Sequence, residues 1–145
     1  MYQHLLLPTD GSPLSEKSVR HGLRLAQMLG AQVTGFYAIP EFRAFAYAGA
    51  IIEDTQAIFE GQAQLQADAA LEFVRTAAAE QGVPCNTTQS THDRPYEAIL
   101  KAAEDHGCDL IVMASHGRRG IEGSLMGSET QKVLTHGKIP VLVDR

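Results

Sequence analysis

The chain has 145 residues, enough for one domain with a sizeable core and too few for two of the usual size. Hydrophobic residues make up 44% and charged ones 20%, and the formal net charge of −5 argues against general nucleic-acid binding, which needs a basic face. No apolar run reaches membrane-spanning length, and Met1-Tyr-Gln-His lacks the basic and apolar regions of a signal peptide, so the expected location is the cytoplasm with no membrane partner.

Leu5 to Thr9 reads as a short apolar strand. Asp10-Gly11-Ser12-Pro13 then supplies a turn, a cap in Ser12 and a proline at the first helical position. Val19, Gly22, Leu23, Ala26 and Leu29 recur at spacings of three and four, which gives the first helix one buried face, and Gly30 ends it. Ala31 to Ile39 is a second strand, closed by Pro40. Right-handed crossover makes these two strands parallel neighbours.

Residues 40 to 55 mix aromatics, alanines and a glycine without a clean period. Phe42, Phe45 and Tyr47 there either cover a ligand or partner subunit or pack onto their own sheet. A long helix follows, with Phe59, Ala63, Ala67, Ala70, Val74 and Ala77 on one face and Gly82 as its stop. Val83 to Thr91 is a more polar strand, which suits a sheet edge. Asp93 and Pro95 begin a third helix with Tyr96, Ile99, Leu100 and Ala103 inward, ending at Gly107.

Asp109-Leu-Ile-Val-Met-Ala114 has the length and branched content of a strand buried on both faces. A loop with Gly117, Gly120, Gly123 and Gly127 follows directly. Ser128 opens a fourth helix with Val133 and Leu134 inward and Gly137 as terminator, and Pro140-Val-Leu-Val143 closes the pattern. Backbone N–H groups at a helix start lack partners inside the helix, and the peptide dipoles favour negative charge there, so strand, glycine loop and helix in this order can seat a phosphate. Ser128 with Gln131 fits a capping box that would fix the start at Gly127-Ser128. Alternating strands and helices imply an α/β domain over residues 1–145, with a parallel sheet covered on both faces. Cys85 and Cys108 have neither metal-ligand spacing nor a CxxC partner and read as free thiols.

The spacing Ala114-x2-Gly117-x9-Gly127-Ser128 resembles the G-x2-G-x9-G-(S/T) nucleotide loop of the ATP-binding universal stress proteins, with alanine for the first glycine. His4-Leu-Leu-Leu-Pro-Thr-Asp-Gly-Ser12 resembles that family's first strand and turn, and Ile139-Pro-Val-Leu-Val143 its last strand, so the resemblance runs from end to end. It implies a single doubly wound domain with a five-stranded, mainly parallel sheet in the order 3-2-1-4-5 and helices on both faces. In that order the ligand crevice lies where the carboxyl ends of the first and fourth strands diverge, and Pro8-Thr9-Asp10 meets Met113 to Gly117 there. The third and fourth strands stand two strands apart, and at about 4.8 Å per neighbour this keeps Cys85 and Cys108 beyond disulfide reach.

The resemblance also implies roles. Asp10 and the Ala38 backbone serve the adenosine end, Met113 walls the adenine, and Gly117, Gly127, Ser128, Glu129 and Thr130 take ribose and phosphates. The implied ligand is ATP, with magnesium, or another adenine nucleotide. Asp10 is open to a second reading, as a cap of the first helix. His116 either bonds a phosphate or is a solvated loop histidine, and Arg118 and Arg119 either neutralise phosphates or add solubilising charge. Ala114 costs affinity if its backbone needs positive φ, and is harmless in ordinary β geometry.

No GxxxxGK(S/T), HxGH or SGGxDS sequence occurs, and no Ser-His-Asp or paired-carboxylate arrangement stands out. The expected function is therefore nucleotide-dependent regulation in stress response rather than dedicated catalysis, with slow ATP hydrolysis or self-phosphorylation conceivable. The alternatives are a dimeric interaction module that does not bind nucleotide and a small-molecule enzyme. As the last strand leaves an unpaired edge, a homodimer through residues 140–144 is expected, besides an unidentified protein partner of the regulator.

Overall fold

The computed structural model describes residues 1–42, 52–117 and 126–145. The elements alternate as β1 (His4–Pro8), α1 (Pro13–Leu29), β2 (Gln32–Ile39), α2 (Ile52–Gln81), β3 (Cys85–Thr91), α3 (Pro95–Asp105), β4 (Leu110–Ala114), α4 (Ser128–His136) and β5 (Val141–Asp144). The strands form one sheet in the order β3-β2-β1-β4-β5, and every pairing is parallel. The expected fold is thus the observed one, with no antiparallel member.

Alternation along the central strands explains their unbroken apolar runs. Leu5 and Leu7 of β1 and Val112 of β4 turn to one face, where they pack with Val19, Leu23 and Ala26 of α1 and Val74 and Ala77 of α2. Leu6, Ile111 and Met113 turn to the other and meet Ile99, Ala102 and Ala103 of α3 and Val133 of α4. Each fully buried leucine contributes roughly 1.5–3 kcal/mol, so a strand with two covered faces has no place for a polar residue. At the edge β3 is the opposite case: half-exposed and polar, it reads CNTTQST.

Helix ends follow local chemistry. Ser12 caps α1 by accepting the Ser15 N–H at 3.2 Å, Pro13 stands at the first turn, and Gly30 ends the helix at φ 67°. Leu29 and Leu134, expected to face inward, are instead 37% and 42% exposed. Leu29 sits in the last turn, where the chain is already leaving the sheet, and α4 is so short that Thr130 and Val133 make up its buried face. Ala98 and Ala102 take buried places on α3 beside Ile99 and Ala103, while Tyr96 and Leu100 are half-buried.

Phe42 packs against Phe59 of α2, ring centres 5.3 Å apart, which favours packing over ligand coverage for that aromatic. Phe45, Tyr47, Arg118, Arg119, Gly120 and Gly123 lie outside the described residues. Cys85 and Cys108 are both free thiols, on or beside strands separated by β2 and β1, and burial pushes the Cys108 thiol up to about 11.

Candidate functional site

The carboxyl ends of β1 and β4, paired side by side, diverge to neighbours on opposite sides, β2 and β5. Pro8, Thr9 and Asp10 leave β1 here, and Met113, Ala114, Ser115, His116 and Gly117 leave β4. The two segments do come together. A β-carbon placed on Gly117 would lie 2.7 Å from Asp10 Oδ2, so glycine is what lets this loop pass the carboxylate.

The β1 side is a closed turn. Thr9 N–H continues the ladder to Phe36 O at 2.9 Å, and the Thr9 hydroxyl accepts from Gly11 N at 3.1 Å and bonds Ser15 Oγ at 3.0 Å. Asp10 Oδ1 accepts the Ser12 N–H at 2.9 Å, an Asx turn that Gly11 completes at φ 77°. Both readings of Asp10 therefore have a structural basis: one oxygen holds the turn and the other faces Gly117. Ser12 itself takes the Ser15 and Glu16 amides, and Pro13 has none to offer. Little of the α1 start is left for a ligand.

On the β4 side Ala114 lies in the strand, paired with Asp144 of β5, and no residue other than glycine has positive φ among the described residues. The missing glycine is thus replaced where a methyl group fits. Ser115 donates its N–H to Asp144 O at 2.8 Å, and its hydroxyl bonds His116 Nδ1 at 2.9 Å. His116 Nε2 is buried with no hydrogen-bond partner among the described residues. Orphaned buried ring nitrogens are uncommon, and this one belongs to the residue between Ser115 and Gly117.

Gly127 brings α4 onto the β4 end. Its N–H donates to Ser115 O at 2.6 Å, and a β-carbon there would come within 3.0 Å of the same carbonyl. With φ −68° and ψ 153°, what the position requires is closeness rather than a left-handed backbone. Thr130, 3% exposed, completes the join by donating its hydroxyl to Ala114 O at 3.0 Å. The expected capping box does not form: Gly127 is the cap, no described side chain closes the α4 start, and Ser128 is exposed in the first turn.

Glu129 departs from its expected place. Its carboxylate reaches across to α3 and accepts the Tyr96 N–H at 2.9 Å, with Lys132 Nζ 3.5 Å from its other oxygen. The cap residue of α3, Arg94, makes no side-chain bond to the helix amides, and the acid on α4 supplies one. Met113 is buried under the crevice, and Ala38, half-buried near the end of β2, pairs with Ser90 and packs against the cluster that holds Met113.

Of the helix starts whose cap residues are described, those of α1 and α3 are thus occupied by Ser12 and Glu129, and at that of α4 no described side chain caps the Ser128, Glu129 and Thr130 amides. An anionic oxygen fits this arrangement, with Gly117 and His116 on its flank. Neither Ser115 nor the Glu129 bond stood out in the sequence. Ser115 lacked any pattern of its own, and the Glu129 bond depends on α3 and α4 lying together. Among the described residues no cluster of three His, Cys, Asp or Glu could hold a metal, and no helix is long and apolar enough to cross a membrane.

A protein of Thermus aquaticus, the universal stress protein in the QAH/OAS sulfhydrylase 3′ region, is 30% identical over 148 residues, covering the whole of both chains. The solved structure of MJ0577, a universal stress protein of Methanocaldococcus jannaschii, superposes with a TM-score of 0.81 at 27% identity, over 99% of this chain and 95% of that one. A universal stress protein solved in complex with cAMP shares the fold at a TM-score of 0.72 and 24% identity, over 99% and 97% of the two chains. The model of the universal stress protein family matches residues 1–145. With its sheet order, its divergent crevice and its glycine-spaced loop accounted for, this chain belongs to the universal stress protein family.

Proposed function

We propose that this universal stress protein binds an adenine nucleotide, ATP in the first instance, in the crevice between β1 and β4, and acts as a nucleotide-dependent regulator in stress response. The observation that carries the reading is the start of α4, capped by no described side chain, beside the point where Asp10 and Gly117 meet. Phosphate oxygens accept from the Ser128–Thr130 amides, the His116 ring supplies a further donor, and Asp10 and Met113 serve the nucleoside end. Magnesium enters on the phosphates. The relative bound to cAMP supports the choice of an adenine nucleotide by fold-level analogy.

The test is calorimetric titration of ATP with magnesium into nucleotide-stripped protein, repeated with Gly127→Val, Ser128→Ala. Micromolar binding that the double variant loses is the expected result. No heat in the native protein, together with no nucleotide released on denaturing the untreated protein, overturns the reading. A second reading, a dimeric interaction module without nucleotide, draws on the free edge of β5, where Leu142 is 42% exposed. Retained dimerisation with no nucleotide binding would select it.

A further inference from the structure

We infer that the outer faces of α1 and α2 form a self-association surface separate from the β5 edge, on which α1 of one copy lies over α2 of another. Both helices cover the same face of the sheet, with Val19, Leu23 and Ala26 of α1 packed beside Val74, Ala77 and Ala78 of α2. Their solvent sides therefore make one surface, and that surface is divided by charge. α1 exposes Lys17, Arg20 and Arg24, whereas α2 exposes Glu60, Asp68, Glu72 and Glu80 beside Arg75.

Within the chain the two ridges do not neutralise each other. The Arg20 guanidinium lies 4.8 Å from the centre of the Phe73 ring, Lys17 Nζ donates to Arg145 O, and Glu72 takes Arg75. Arg24 and Glu80 have no ion-pair partner among the described residues. Two contacts fix the relative height of the helices: Arg20 stands level with Phe73, and the Gln27 side-chain amide donates to Gln81 O at 2.9 Å. The helices thus run side by side in one direction, and Lys17 and Arg24 lie within two or three residues, roughly 4 Å along the axis, of the levels of Asp68 and Glu80.

A half-turn about an axis parallel to both helices keeps those levels. It sets α1 over α2 of the second copy and α2 over its α1, so Lys17 meets Asp68 and Arg24 meets Glu80 twice each. The perpendicular axis in the same plane would bring like charges together, so charge selects one arrangement. Met28, 83% exposed one residue after Gln27, adds an apolar side chain to the surface.

Exposed pairs are weak, so a dissociation constant on the order of 0.1–1 mM is expected at low ionic strength. The test is sedimentation equilibrium in a Leu142→Lys background, which puts a charge on the β5 edge and removes that route to association. Lys17→Glu, Arg24→Glu is compared with Asp68→Lys, Glu80→Lys, each alone and then mixed. The protein with its helices unchanged is expected to self-associate at low salt and not at high salt. Each reversed variant is expected to stay monomeric, because its facing positions then carry one sign, and the equimolar mixture to associate about tenfold or more tightly than either alone. Thermal melts of each variant check folding. Should a reversal unfold, Arg24→Gln and Glu80→Gln must each weaken the association singly, and unchanged association overturns the inference. A monomer with unchanged helices at low salt, or a mixture no tighter than its folded components, also overturns it.

Discussion

Gly117 and Asp10 belong to loops that leave different strands, yet Asp10 Oδ2 stands only 2.7 Å from where a β-carbon on Gly117 would be. Gly117→Ala must push that carboxylate aside while its other oxygen still holds the Ser12 amide. Since Gly117 is exposed, the melting temperature is expected to move little. ATP affinity is expected to fall about tenfold or more, the equivalent of one lost hydrogen bond to a charged group. Titration and thermal melting of the same sample separate the two effects, and an unchanged affinity would remove Asp10 from the binding reading.

Ala114→Gly restores the glycine of the family loop and should bring no benefit. The alanine is buried in β4 and its backbone does not use positive φ, so the replacement only adds freedom to the unfolded chain and removes a packed methyl group. A loss of about 1 kcal/mol in chemical denaturation is expected, with nucleotide affinity within about twofold of native because no contact changes sign. A marked gain in affinity would mean that the ligand approaches closer than this strand end permits.

The opposite end of the sheet sets a pH dependence. Burial lowers the His4 imidazole below its ordinary range, the Asp109 carboxylate opposes that shift, and His106 reinforces it. In neutral form its Nε2 lies 2.7 Å from the wholly buried Thr34 hydroxyl. The unfolded chain therefore binds a proton at His4 more readily than the native one, so this group contributes stability above its ordinary value of 6.5 and loses it as pH falls through and below that value. Thermal melts across this range should show a shallower slope in His4→Gln. A steeper one would contradict the assignment.

Leu142 lies exposed on β5, whose outer edge has no strand partner among the described residues. A second copy covering that edge is the expected assembly, and Leu142→Lys places a charge in the middle of it. Light scattering at micromolar concentration is expected to give a dimer for the native protein and a monomer for the variant. A native monomer would remove the edge from the account.

How much of this was legible in the sequence varied with how local the cause was. The runs Leu5–Leu7 and Leu110–Ala114 are apolar without interruption because both faces of their strands are covered, and that same fact makes them easy to read. The meeting of Asp10 with Gly117 followed from strand order. Leu29 and Leu134 were misread because periodicity continues to the helix end whereas contact with the sheet does not. The capping box at Ser128 has the right residues, but the close approach of Gly127 to Ser115 already fixes the start, and the serine side chain stays exposed. Glu129 was placed on the ligand by resemblance, while its bond to Tyr96 joins residues 33 positions apart and leaves no local pattern.

Because β1 lies at the centre of the sheet, with Leu5 paired to Val33 on one side and Leu110 on the other, the middle of the domain cannot assemble until distant parts of the chain have met. Such pairing makes folding slow relative to a helical bundle of similar size, since chain entropy is lost before the contacts are gained. A nascent chain released before β4 has emerged would hold β1, β2 and β3 as a sheet with its most apolar strand at an open edge. That fragment is the species most prone to aggregate, and the one a chaperone would meet first.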